Sequence, residues 1–144
     1  MKLTTRTRYG VRLLYQLSLN YDKGYIQLND IAAAENISIK YLEQIVSFLK
    51  SAGLVQSMRG AQGGYIISRH PSAITLEEIV DKLEGGLCVV DCIETGNCDK
   101  SGNCSAQNVW NNLTLTMKKV LSSVTLQTMV DESKNINGDL NYNI

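Results

Sequence analysis

Apolar residues recur at helical spacing in the first half of the chain. The first stripe, around Leu13 and Leu17, belongs to a helix that Thr4 or Thr5 can cap. A second, short helix is predicted over 28–35, where strong helix formers predominate. Both helices have one apolar face, so each is expected to pack on a common core.

A third helix, 39–51, is predicted after a tight turn. Ser38 can cap its start, Gly53 lies just past its end, and Asn36 tolerates the left-handed backbone of such a turn. The positions expected to face inward are Ile39, Leu42, Ile45, Val46 and Leu49. Two helices joined in this way are typical of a helix-turn-helix.

Two short strands follow directly. They are predicted over 54–58 and 65–69, with the glycine-rich segment 59–64 as the tip of a hairpin. A helix-turn-helix followed by a hairpin is the winged-helix arrangement, so the predicted fold is mainly α with a small β-hairpin wing. Arg59 stands among the tip glycines, which lets its guanidinium approach a phosphate or a narrow minor groove.

The second half of the chain has a different pattern. Thr75 and Glu78 form a capping box for a fourth helix that runs through Leu83. A long helix is predicted from Ser105 to about Ser122. Its apolar stripe comprises Trp110, Leu113, Met117, Val120, Leu121 and Val124. Since a winged-helix layout leaves little surface of the same chain for this stripe, we interpret it as a dimerisation helix.

These patterns divide the chain into four parts. We predict a winged helix-turn-helix DNA-binding domain over 1–85 and a cysteine-rich, loop-like segment over 86–104. A dimerisation helix region follows over 105–134, and the Asn-rich tail 135–144 is expected to be disordered.

Charge changes the picture only when it is counted by position. The 144 residues carry 14 Lys and Arg and 14 Asp and Glu, a formal net charge of zero. Residues 1–70 hold nine basic and four acidic residues, a net of +5, and residues 71–144 hold five basic and ten acidic residues, a net of −5. A basic first half is suited to a polyanion, although ordinary uneven surface charge is the alternative.

All four cysteines fall between Cys88 and Cys104. The chain does not open with a charged and then an apolar segment, so we expect a cytoplasmic, reducing location and a metal or redox site rather than structural disulfides. The absence of a C-x2-C pair disfavours zinc, while thiol or disulfide sensing stays open. No long apolar run indicates a membrane partner, and no Ser/His/Asp set, P-loop or dinucleotide motif indicates an enzyme.

Five motifs carry a family resemblance from residue 1 to about residue 130. In chain order they are 2–10 (KLTTRTRYG), 37–44 (ISIKYLEQ), 53–55 (GLV), 59–65 (RGAQGGY) and Cys92-x5-Cys98-x5-Cys104. In this combination the chain resembles the Rrf-type winged-helix transcription regulators of the IscR-like kind. The resemblance implies a homodimeric bacterial regulator, mostly a repressor, whose binding to double-stranded DNA is modulated by an iron–sulfur cluster.

The resemblance also implies a set of DNA-binding residues. The third helix would enter the major groove, where Gln44 can pair with adenine and Glu43 can accept from a cytosine amino group. Arg59 would enter the minor groove, and Lys2 would help to hold the DNA backbone. The expected set is Lys2, Ser38, Lys40, Tyr41, Glu43, Gln44, Ser47, Arg59 and Gly60, of which Tyr41 is expected to lie partly in the core.

Cys92, Cys98 and Cys104 match the three cysteine ligands of the family in number and spacing. The implied cofactor is one iron–sulfur cluster per subunit, most simply [2Fe-2S]. The usual fourth ligand is a His three residues after the last Cys, and this chain has Gln107 there. Cys88 is a candidate fourth ligand. The equal alternative is that Cys88 is only a small, buried apolar side chain.

Other fourth ligands also stay open. Asp91, Glu94, Gln107 and an exogenous ligand are among them, whereas Arg8 and Arg12 occupy the first helix, where other members supply a ligand to their partner. Two further functions stay open as well. One is a cluster-free repressor that responds to thiols or to cysteine metabolism, and the other is an iron–sulfur redox or carrier protein with an incidental winged helix.

Overall fold

The computed structural model of the chain describes residues 2–96, 99–100 and 102–142. The described residues form seven α-helices, one two-stranded sheet and one 3-10 turn. In chain order these are α1 (Thr5–Leu19), α2 (Leu28–Glu35), α3 (Ile39–Ser51), β1 (Val55–Met58), β2 (Gly64–Ile67), the 3-10 turn (Pro71–Ala73), α4 (Leu76–Glu84), α5 (Asp91–Thr95), α6 (Gln107–Ser122) and α7 (Leu126–Tyr142). None of these helices is both long and apolar enough to cross a membrane.

Local sequence signals place the helix ends. The hydroxyls of Thr4, Ser38 and Thr75 cap α1, α3 and α4 by accepting from backbone N–H groups three residues later, at 3.2 Å each. Asn36 adopts the left-handed conformation (φ 55°, ψ 49°) in the turn between α2 and α3. The predicted helix-turn-helix is therefore confirmed.

The wing is an antiparallel hairpin. β1 pairs with β2 in the register Val55 to Ile67 and Met58 to Gly64, within one or two residues of the predicted strand ends. Ile26 also bridges Tyr65 across the free edge of β2. The wing is therefore attached to the segment that leads into α2.

One continuous core joins these elements. It contains the inward faces of α1 and α3, the base of the wing and α4, and its fully buried members include Leu13, Leu42, Ile45 and Ile79, each at most 1% exposed. Ile39 was expected to face inward, but this prediction was wrong, because it occupies the first turn of α3 and is 43% exposed. The predicted mainly α winged-helix fold is confirmed.

The cysteine segment is more regular than expected. Residues Asp91–Thr95 form a short helix, α5, which ends at Gly96 in the left-handed conformation (φ 66°). No glycine or asparagine occurs between Leu87 and Thr95, so one helical turn forms before the glycines and asparagines at 96–103.

The C-terminal region differs most from the prediction. After α6 the chain turns at Ser123 and begins a second helix, α7, whose Leu126 and Val130 are 0% and 4% exposed. α7 packs against α1 and the 3-10 turn, and Leu126 belongs to the main buried cluster, so this part of the predicted dimerisation region also contributes to the core. α7 continues to Tyr142, into the tail 135–144 for which disorder was predicted.

Candidate nucleic-acid interface and cysteine segment

The outward face of α3 is polar and exposed. Leu42, Ile45 and Leu49 point into the core and are at most 1% exposed, which turns the intervening residues to the surface. On α3 and its cap, the exposed members of the predicted DNA-binding set are Ser38, Lys40, Glu43, Gln44 and Ser47. This face therefore presents an amide, a carboxylate, hydroxyls and an ammonium group, which are the groups that contact base edges and phosphates.

Tyr41 differs from its neighbours on α3. It is half-buried, and its ring meets the ring of Tyr9 edge-on, with centroids 5.7 Å apart and an angle of 81° between the planes. The expectation that Tyr41 lies partly in the core agrees with this contact. Its ring is held by α1, so this residue connects the exposed face of α3 to the rest of the fold.

A groove of about 560 Å³ lies between α3, the start of α2 and the wing. Glu43 lines it from α3, while Arg59 and Gly60 line it from the wing tip. Arg59 is exposed, and Gly60 has φ +115°, a conformation that favours glycine. The fold therefore brings predicted residues from two distant segments of the sequence to one concave surface.

The same groove contains residues that the sequence reasoning missed. Lys50 of α3, Gln27 at the start of α2 and the exposed Ile39 line it as well. Lys50 follows Glu43 by seven residues, two helical turns, so helical spacing could have identified it. No comparable signal marks Gln27, whose amide approaches the Ala61 carbonyl of the wing at 3.4 Å.

The N-terminal arm, residues 2–4, is attached to the end of α4. Lys2 is exposed, and Thr4 donates to Glu84 Oε1 from both its backbone N–H and its hydroxyl, at 2.9 Å each. Burial raises the pKa of Glu84, but hydrogen bonds from Thr7 and Thr4 and the charge of Arg6 outweigh it, so the net pKa lies below its ordinary value of 4.5. The ionised Glu84 thus anchors the arm that carries Lys2.

The cysteine segment offers thiol ligands. Cys88, Cys92 and Cys104 are half-buried and form no disulfide with one another, while Cys98 lies outside the described residues. The Cys88 thiol donates to the Val90 carbonyl oxygen at 3.1 Å. Within 2–96, 99–100 and 102–142 no three His, Cys, Asp or Glu side chains are close enough to hold a metal ion. The donor chemistry of the thiols suits an iron–sulfur cluster, although these side chains do not form a ready-made site.

Three residues with nitrogen-containing side chains, His70, Arg12 and Gln107, make local contacts. His70 caps the 3-10 turn, because its Nδ1 accepts from the Ser72 backbone N–H at 3.1 Å. Arg12 forms an ion pair with Glu35. Gln107 is the first residue of α6, and its backbone N–H donates to the Cys104 carbonyl at 3.2 Å.

A polar recognition helix beside a glycine-tipped wing defines a winged helix-turn-helix DNA-binding protein. Residues 3–132 match the family described as Rrf2, iron-dependent transcriptional regulator, and the chain belongs to this family. The resemblance found in the sequence motifs is therefore confirmed.

Two relatives illustrate the match. The chain is 38% identical to the HTH-type transcriptional regulator CymR of Bacillus subtilis over 90% of this chain and 89% of that protein. The solved structure of CymR, the global cysteine regulator of B. subtilis, superposes with a TM-score of 0.78 at 36% identity, covering 92% of this chain and 98% of that one. IscR of T. potens superposes with a TM-score of 0.75 at 34% identity, covering 92% and 88%.

Proposed function

We propose that this transcriptional regulator binds a double-stranded DNA operator through α3 and the wing. The observation that carries the proposal is the groove where Glu43 of α3 and Arg59 of the wing face one surface. Gln44 and Glu43 would read base edges in the major groove, while Lys40, Ser38 and Ser47 would contact phosphates beside them. Lys2 on the anchored arm and Gly60 at the wing tip would contact the phosphate backbone of the flanking DNA.

Two substitutions test the assignment. A duplex selected by the wild-type chain from a random-sequence pool serves as the probe, and a scrambled duplex of the same length serves as the control. Gln44→Ala is expected to relax base preference by about 1–3 kcal/mol at one position. Arg59→Ala is expected mainly to weaken binding and to lower its salt dependence. Equal binding by Arg59→Ala and wild type across the salt series would contradict the role of the wing.

The regulator is proposed to act as a homodimer through α6. This helix has sixteen residues, of which only Thr114 is buried by the chain itself. Val109, Leu113, Leu115 and Val120 are 48–65% exposed, and a helix with this much free apolar surface is suited to a second copy of itself. Sedimentation equilibrium of wild type and Val120→Lys tests this: the wild type should be a dimer and the variant a monomer, whereas a monomeric wild type would refute the proposal.

The cysteine segment is proposed to hold an iron–sulfur cluster, most simply [2Fe-2S], through Cys92, Cys98 and Cys104, with Cys88 a candidate fourth ligand. The iron-dependent description of the family supports it, as does the placement of all four cysteines between positions 88 and 104 of the sequence. When bound, such a cluster would supply a group sensitive to iron and to redox state. The Val89 backbone N–H donates to the Thr114 hydroxyl of α6 at 3.3 Å. A rearranged segment can therefore alter α6, and with it the spacing of two recognition helices.

Anaerobic reconstitution with iron and sulfide tests the cluster. Wild type is expected to gain visible absorption and a Mössbauer signal, and Cys92→Ala is expected to lose both. A colourless protein that binds DNA identically with and without iron and sulfide would refute the proposal. A coloured protein that binds no duplex would instead support an iron–sulfur carrier.

A second candidate function is a cluster-free regulator that responds through its thiols or through cysteine metabolism. The similarity to CymR, a global cysteine regulator, favours it, as does the partial exposure of Cys88, Cys92 and Cys104. A change in DNA affinity on mild oxidation of the metal-free protein, abolished by Cys→Ser substitutions, would support this candidate.

A further inference from the structure

Arg12 of α1 contacts the end of α2, the first helix of the helix-turn-helix unit. Its Nε lies 2.7 Å from Glu35 Oε2, and its Nη2 donates to the Glu35 carbonyl oxygen. Gln16, one turn further along α1, donates from Nε2 to Glu35 Oε1 at 2.6 Å. The Glu35 side chain is 13% exposed and the Arg12 side chain 43% exposed, so the pair is shielded mainly on its carboxylate side.

The contact lies at the C-terminal end of α2. Glu35 is the last residue of α2, and the last turn of that helix contains no basic residue of its own. A guanidinium beside the terminal carbonyl complements the negative end of the helix dipole. Because Asn36 begins the turn to α3, Arg12 holds the point from which the recognition helix departs.

Arg12 also reaches α3 through two aromatic rings. Its guanidinium carbon lies 5.2 Å from the centroid of the Tyr9 ring, and Tyr9 meets Tyr41 edge-on at 5.7 Å. Both separations are within the range of attractive cation–π and aromatic pairs. Tyr41 lies in the first turn of α3, directly before the residues assigned to base contact.

We propose that Arg12 is a positioning residue for operator recognition. Its contacts with Glu35 and Tyr9 hold the start of α3, and so set the angle at which Gln44 and Glu43 enter the major groove. The guanidinium is engaged by the protein and does not itself bind a phosphate. This inference rests on the proposed DNA-binding function.

The test compares specific with non-specific binding. Fluorescence anisotropy is measured over a salt series with the duplex selected by the wild type and with its scrambled counterpart. Arg12→Met is expected to weaken binding to the selected duplex about tenfold, within the range of one base contact. Its affinity for the scrambled duplex and its salt slope are expected to match the wild type, because no phosphate contact is lost.

Arg8→Met is the matched control. Arg8 lies one turn earlier on α1 and is exposed. Its guanidinium carbon lies 6.0 Å from the Tyr9 ring centroid, at the outer limit of a cation–π contact, so the two substitutions differ chiefly in the ion pair that Arg12 forms with Glu35. The substitution removes the same charge, and the ratio of selected to scrambled affinity is expected to stay at the wild-type value. An equal fall of that ratio in both variants would show a charge effect and overturn the proposal.

A second pair of variants separates an effect on the position of α3 from a loss of folding stability. Tyr9→Phe keeps the ring and is expected to bind like the wild type, whereas Tyr9→Leu removes it and should lose preference for the selected duplex. This pair carries the test if circular dichroism shows that Arg12→Met does not fold.

Three results would overturn the proposal. The first is an unchanged preference in folded Arg12→Met, and the second is equal binding by Tyr9→Leu and Tyr9→Phe. The third is a salt slope lower by about 0.9 with both duplexes equally weakened, which would make Arg12 a phosphate contact. A wild-type chain that enriches no duplex would overturn the DNA-binding proposal itself, and this inference with it.

Discussion

Replacement of Leu126 by Ala tests whether α7 is part of the DNA-binding unit. Leu126 is 0% exposed and belongs to the same buried cluster as Leu13 and Ile74. Its backbone N–H donates to the Ile74 carbonyl at 3.0 Å, which holds the start of α7 against the segment before α4. The truncation would therefore open a cavity in the core.

The expected cost of Leu126→Ala is about 2–5 kcal/mol, the range found for truncating a buried leucine. For a chain of this size a loss of about 3 kcal/mol corresponds to a fall in Tm of roughly 6–12 °C. The assay is thermal unfolding followed by circular dichroism at fixed protein concentration, since association also shifts Tm.

Ile136→Ala is the matched control, because Ile136 lies on the same helix and is 61% exposed. Its change is expected to stay within about 0.5 kcal/mol. If Leu126→Ala melts at the same temperature as Ile136→Ala, α7 does not complete the core and the reasoning is refuted.

Three further predictions concern the groove, the arm and the wing. Lys50→Ala should lower the salt slope of binding by about 0.9 without altering base preference, and a changed preference would contradict a phosphate role. The pKa of Glu84 lies below 4.5 in the folded chain, so the stability it contributes is present above that pH and is lost as the pH falls through the lower pKa. Melting of Glu84→Gln from pH 7 to pH 3 should therefore converge on the wild type at the acid end, and a gap that widens on acidification would exclude this linkage. A Cβ at position 63 would lie 2.1 Å from the Met58 carbonyl oxygen, so Gly63→Ala should distort the wing. A gel shift is expected to show weaker DNA binding by this variant. Wild-type affinity would show that the hairpin tolerates the change.

The helix-turn-helix was predictable because its signals are local. The Ser38 hydroxyl accepts from the backbone N–H three residues later and so caps α3. Asn36 adopts the left-handed backbone conformation of the turn, which an asparagine tolerates better than most residues. The alternation of Leu42 and Ile45 with exposed polar residues follows from 3.6 residues per turn. The outward face of α3 followed from the same periodicity.

The sequence pattern failed where an element depends on a distant partner. Residues 105–134 were predicted as a dimerisation region and 135–144 as a disordered tail, whereas Leu126 at the start of α7 joins the buried cluster that contains Leu13 of α1, more than a hundred residues earlier. Gln27 joins the candidate site because the wing pairs with the segment before α2 through the bridge between Ile26 and Tyr65. Such contacts leave little local trace.

The sequence by itself determined the class of protein, the recognition helix and the supply of thiols, because capping, periodicity and residue chemistry act over a few positions. Only the tertiary structure decided which side chains share the groove, that α7 closes the core, and that Arg12 of α1 holds the start of α3 through Glu35 and Tyr9. Long-range packing and ion pairs depend on where the chain returns in space, which a one-dimensional pattern does not specify.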